Sequence, residues 1–291
     1  MSALPIPAPR NEGFSTSTSQ PLYWREDGRV DAPPLMLLHG GPGAYHDYLY
    51  PQCLELARTH RVFTYDQRGG GQSKSDDRTP ITSRTQIDDL AHLITEFALT
   101  PLTLIGYSWG ALLSMLYAIE AAANPSLSGI DRLVLISPAP ITRTWRTDFE
   151  RNLAERQKSP LIETMRAELN NSGLREQDYG AYQQRSFELS VAGYFADPRR
   201  AASLTPFRVT GRVQQSIWES LGDFDLREAL RSVQTRVLVV HGRQDPIPLV
   251  SAEAAAEALG GEIVVLEDCG HVPYVEQPEA LFSSIESFLA K

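Results

Sequence analysis

Cysteine is scarce: the 291 residues hold only Cys53 and Cys269, too few for a multi-bridge framework and without the CxxC spacing of zinc or redox sites. A reducing, cytoplasmic setting is the expectation that follows. Positive charge is short as well, since 27 Lys and Arg against 36 Asp and Glu leave a formal net charge of −9 with no basic patch. Nucleic acid and anionic lipid are therefore poor partners. Long apolar runs are missing too; the stretch from Ala111 to Ala123 is too short to cross a bilayer and contains Glu120. Residues Met1 to Arg10 are proline-rich and lack the charged start and apolar run of a signal peptide, so none is expected. The chain has no internal repeat, no low-complexity block and no GxxxxGK[ST] or GxGxxG phosphate loop. What remains is a small-molecule or short-peptide substrate, no membrane or nucleic-acid partner and no cofactor or metal, with assembly into a homo-oligomer left open.

What the sequence does contain is enough apolar residue, 42%, to bury the core of one large α/β domain. Six short runs are strand-length and apolar on both faces, as central strands of a parallel sheet are: Leu35 to His39, Val62 to Tyr65, Leu102 to Ile105, Leu133 to Ile136, Val237 to Val240 and Ile263 to Leu266. Between them, Ile87, Leu90, Ala91, Ile94 and Ala98 recur at helical spacing, as do Leu112, Leu113, Leu116 and Ile119. Residues from about Gly13 to Trp24 alternate weakly and suit an antiparallel edge pair. The alternation of strands and helices stops near Pro138 and resumes near Arg236. The polar, aromatic-dotted interval reads as a helical cap over residues 140–234, inserted into a core made of residues 1–139 and 235–291. Such an insertion leaves and rejoins at strand C-termini, where α/β sheets bind ligands.

Leu102 to Ile105 run into Gly106-Tyr107-Ser108-Trp109-Gly110 and then a helical pattern, which is the context of a nucleophile elbow. A serine hydroxyl needs a base within hydrogen-bond reach, and His271 follows the last strand. The orienting carboxylate is expected after the preceding strand, where Asp245 stands. Asp225 precedes that strand, and Asp268 is too near His271 in sequence to serve. The turn His39-Gly40-Gly41-Pro42-Gly43 would supply one oxyanion donor, the N–H of Gly41, and the N–H of Trp109 the other. Serine, then acid, then histidine is the chain order of α/β-hydrolases.

His39 to Gly43, Asp66-Gln67-Arg68-Gly69-Gly70-Gly71-Gln72-Ser73 and Gly106 to Gly110 together resemble the three motifs of proline iminopeptidases. The resemblance implies an α/β-hydrolase fold, with a mostly parallel sheet, helices on both faces and an inserted helical cap. It also implies metal-free release of N-terminal residues from short peptides through an acyl-enzyme on Ser108. In that family glutamates from the cap, or from just after the catalytic acid, hold the substrate's amino terminus; here Pro246 takes the second place. Glu219 is the candidate anion that remains, with Trp218, Trp145 and Tyr107 as candidate substrate contacts. A carboxylic-ester or lactone hydrolase is the alternative within the fold, and a ligand-sensing protein with little turnover the alternative outside it. Asp66 and Arg68 are expected to brace the loops around the site, the Arg68 fork bonding to nearby backbone. Cys269 is close enough to His271 in sequence for thiol reagents to crowd the base.

Overall fold

The computed structural model describes residues 5–75 and 79–291. Eight strands form one sheet: β1 (Asn11–Phe14), β2 (Tyr23–Asp27), β3 (Pro34–Leu38), β4 (Arg61–Tyr65), β5 (Leu102–Tyr107), β6 (Ile130–Ile136), β7 (Arg236–Gly242) and β8 (Glu262–Leu266). Their spatial order is β1-β2-β4-β3-β5-β6-β7-β8. The β1–β2 and β2–β4 pairs are antiparallel and all others parallel. The order reverses around β3 and β5, so the loops leaving these two strands diverge and open a crevice at the carboxyl edge. All six expected core strands are present. Ile263 to Leu266 are not central, however: β8 is the edge, and residues 262–265 are exposed or half-buried.

Side chains on a strand alternate between faces, and the two cores divide accordingly. Met36 and Leu38 of β3 join Leu104 of β5 and Val239 of β7 on one face, while Leu35, Leu37, Ile105 and Val240 lie on the other. Helix α1 (Ser83–Glu96) packs on the first face, started by a capping box between Thr82 and Thr85. It buries Ile87, Leu90, Leu93 and Ile94, and it stops before Ala98, which has φ 50° and lies outside the helix. Helix α2 (Trp109–Ala123) joins α1 on the same face and is buried nearly all round.

The interval between β6 and β7 is helical. It holds α3 (Arg143–Arg156), α4 (Pro160–Asn171), α5 (Leu174–Gln177), α6 (Tyr179–Val191), α7 (Gly211–Leu221) and α8 (Arg227–Leu230), with short 3-10 turns at Ala192–Tyr194 and Pro198–Ser203. Its start and return lie side by side, through Arg143 N to Phe224 O (2.8 Å) and Leu226 N to Ile141 O (3.0 Å). After β7 come α9 (Leu249–Ala258) and, beyond β8, α10 (Pro273–Glu276) and α11 (Pro278–Leu289). Among the described residues, no helix is long and apolar enough to cross a membrane.

Candidate active site

Four loops meet at the carboxyl edge of the sheet. The turn after β5 carries Ser108 at φ 54°, ψ −115°, a strained conformation that lifts the hydroxyl clear of the strand. This turn is tight enough that a Cβ on Gly110 would sit 2.3 Å from Leu38 O, and one on Gly106 would sit 2.4 Å from Gly110 O. Glycine is therefore required on both sides of the serine.

His271 Nε2 lies 3.0 Å from Ser108 Oγ, and His271 Nδ1 lies 2.8 Å from Asp245 Oδ2. A carboxylate only accepts, so Nδ1–H donates to Asp245 and Nε2 is left to accept from the serine hydroxyl. The Asp245 side chain has no exposed surface. Burial alone would raise its pKa, but the electrostatic pull of the His271 and His241 rings, the bond from His271 Nδ1–H and the Ile247 N–H, 2.8 Å from Oδ1, outweigh burial and hold it below the ordinary range. A carboxylate so held keeps the imidazole in one tautomer and can stabilise its protonated form.

The loop after β3 turns at Gly41 with φ +56°, the left-handed region that glycine occupies readily. Among the described residues, neither the Gly41 N–H nor the Trp109 N–H is taken by a loop, turn or side-chain acceptor. Gln67 fixes the two donor loops relative to one another. Its backbone N–H donates to His39 Nε2 (3.1 Å), its side-chain amide donates to His39 O (2.8 Å), and its Oε1 accepts from the Trp109 indole (2.9 Å). Burial pushes the His39 imidazole down to about 4, so the ring is neutral and Nε2 is free to accept. Asp66 braces the neighbouring loops as expected, accepting from His46 Nδ1 (2.7 Å) and Gln72 N (2.8 Å). Arg68 braces them as well, its fork gripping the Asp89 carboxylate of α1 at 2.8 and 2.6 Å.

A cavity of about 310 Å³ opens over Ser108 and His271. Its walls are aromatic, with Tyr48, Tyr107, Phe187, Tyr194, Phe207 and Tyr274, and Ser190 and Gln214 add polar atoms. Among the described residues lining it there is no Asp or Glu. Of the substrate contacts suggested by sequence, only Tyr107 lies here. Helix α7 turns Val213, Ile217 and Trp218 toward the core, so Glu219, the next residue round the helix, faces away. Glu219 instead accepts from Gln215 (2.7 Å) in a separate cleft with Thr79 and Ile81. Trp218 packs edge-on to the Trp109 ring (5.3 Å) beneath the Arg146 guanidinium (3.5 Å). Trp145 is half-buried against the first core, with Arg227 over its ring at 5.7 Å. Cys269 is fully buried, and burial pushes its thiol up, away from the reactive thiolate. Among the described residues, no group of three or more His, Cys, Asp or Glu is arranged to hold a metal ion.

Residues with no role assigned from sequence complete the site. His271 N donates to Tyr194 O (2.7 Å), and the Arg156 side chain donates to Phe195 O (2.6 Å) and to Gln244 O beside Asp245. His241 stands behind the acid, its Nε2 3.8 Å from Asp245 Oδ2. No local pattern marks these residues, because their partners are brought in by the helical segment or by another loop.

This sheet order, with its strained serine turn and three converging loops, defines an α/β-hydrolase. The chain belongs to the alpha/beta hydrolase family, whose model matches residues 35–284. It is similar to the proline iminopeptidase of Lactobacillus helveticus (strain DPC 4571), 26% identical over 291 residues that cover 96% of this chain and 97% of that protein. In fold it is similar to the proline iminopeptidase of Mycobacterium smegmatis, with a TM-score of 0.69 at 18% identity over 96% of this chain and 98% of that one. The enol-lactonase of Burkholderia xenovorans LB400 is similar too, with a TM-score of 0.63 at 20% identity over 96% and 100% of the two chains.

Proposed function

We propose that this chain is a serine hydrolase that cleaves small carboxylic esters or lactones with an apolar acyl part. The observation that carries this reading is an aromatic cavity opening onto Ser108 with no carboxylate among its described lining residues. Ser108 Oγ attacks the carbonyl carbon while His271 Nε2 takes its proton, and Asp245 stabilises the imidazolium. The N–H groups of Gly41 and Trp109 hold the oxyanion. As the intermediate collapses, the bond to the leaving oxygen breaks and His271 returns the proton to that oxygen. Water then attacks the acyl-serine, gives a proton to His271, and releases the acid as Ser108 Oγ is reprotonated. The helical segment 140–234 acts as a cap, since α6 and the turns after it supply Phe187, Tyr194 and Phe207 to the cavity wall.

A second reading is release of N-terminal residues from short peptides, favoured by the relatives named proline iminopeptidase. A free amino terminus is a cation and gains from a carboxylate at its binding site. Turnover of p-nitrophenyl esters and simple lactones beside proline-naphthylamide separates the two readings. The proposal expects the esters or lactones to be hydrolysed at least about tenfold better by kcat/KM; preference for the naphthylamide overturns it. Ser108→Ala is expected to lower kcat about a thousandfold or more while circular dichroism stays that of the folded chain. Undiminished turnover by that variant would refute the serine mechanism.

A further inference from the structure

Glu276 ends α10, the short helix that follows His271, and its side chain turns back beneath the loop it has just left. It is buried, at 5% exposure. One carboxylate oxygen accepts from Gly270 N (2.8 Å), the residue before His271, and the other from Ala196 N (2.7 Å), in the helical segment. The same short turn of that segment receives the His271 N–H on Tyr194 O and the Arg156 guanidinium on Phe195 O. Contact is close: a Cβ on Gly270 would lie 2.2 Å from Tyr194 O. Replacing a buried ion by an apolar group of like size is often neutral or stabilising, so stability alone is weak grounds for a carboxylate here. What an apolar side chain cannot do is hold two backbone N–H groups from distant parts of the chain in fixed relation.

We propose that Glu276 is a positioning residue that fastens the 194–196 turn of the helical segment to the Gly270–His271 loop, so that the aim of the His271 imidazole depends on how that segment is seated. Residues 194–196 are then a fixed post of the site, and any opening of the cavity has to come from other parts of the segment. The inference rests on the reading of His271 as base, and it adds the element that holds that base.

The test uses the full chain at pH 8 with a p-nitrophenyl ester. Glu276→Gln preserves size but points an amide NH2 at one of the two N–H donors. The variant is expected to fold, to lose about tenfold or more in kcat with KM changed less than about threefold, and to broaden or lose the downfield proton signal of the Asp245–His271 hydrogen bond. Glu276→Asp keeps two acceptor oxygens on a shorter arm and is expected to recover part of the lost kcat; it stands in if the glutamine variant does not fold. A folded Glu276→Gln with kcat within about twofold of the parent and an unchanged downfield signal overturns the proposal. Ser108→Ala is run alongside. If it is inactive while Glu276→Gln is normal, this inference alone fails, and if it is active, the reading of the site fails and takes the inference with it.

Discussion

At Ser108 a strained backbone is kept by what surrounds it: glycines where any Cβ would strike backbone, and a helix that starts at the next residue. The local signal here was strong, because a GxSxG pattern set between an apolar strand and a helix rarely arises by chance, and the structure sets Ser108, His271 and Asp245 in one hydrogen-bonded row. Gln67 was not legible as more than a motif letter, since its partners His39 and Trp109 come from two other loops. Removing its side chain frees the Trp109 indole and the His39 carbonyl together. Gln67→Leu is accordingly expected to lower kcat by about tenfold to a hundredfold with a smaller change in KM, as loss of alignment in an oxyanion site does; steady-state kinetics on the ester checks this. The Cys269 thiol is sealed in the second core, so maleimide treatment of the native protein should leave ester turnover intact, with mass spectrometry confirming that Cys269 is unlabelled. Glu276 supplies a pH signature. Burial, its largest influence, raises the carboxyl from 4.5 to about 7 against its N–H partners and Arg200. A carboxyl raised on folding holds its proton more tightly when folded, so its contribution to stability is full below the unfolded value and is lost as pH rises to about 7. Urea unfolding at pH 4.5 and pH 8 should show the parent losing on the order of 3 kcal/mol that Glu276→Gln does not lose.

Elements were easier to read than their surroundings. Six strands follow from apolar runs of strand length, yet such a run cannot tell an interior position from an edge, and β8 proved to be the edge. The helical period fixes α1 and α2, but the last apolar position assigned to α1, Ala98, falls beyond it. In α7 the amphipathic stripe decides the outcome: because Val213, Ile217 and Trp218 face the core, neither Trp218 nor Glu219 reaches the cavity. That orientation was present in the spacing, and a helical projection of residues 211–221 would have shown it. Packing of α2 onto the strand ends gives a test at this scale. Gly110→Ala places a Cβ against Leu38 O and His39 O, which are backbone atoms with little freedom to yield. A loss of about 1–3 kcal/mol, the usual cost of overpacking, is expected in urea unfolding; a midpoint unchanged from the parent would show that the elbow has more room than these distances allow.

For the whole molecule, the helical segment and the sheet domain are joined at the chemistry rather than beside it. Thr210 N donates to Gly43 O (2.9 Å), His271 N to Tyr194 O, and Arg156 to Gln244 O, so the loops after β3, β7 and β8 each bond to the segment. From sequence the segment was visible as an interruption of the strand and helix alternation. Its inner surface was not, because a contact made by a backbone carbonyl leaves no trace in residue type. The central claim is that Ser108, driven by His271, carries the acyl group. Intact-mass and peptide mass spectrometry after treatment with a fluorophosphonate tests it most directly. One adduct per chain is expected on Ser108, formed far more slowly in His271→Gln and absent in Ser108→Ala. An adduct on another residue, or an unlabelled Ser108 in protein that still hydrolyses esters, would contradict it.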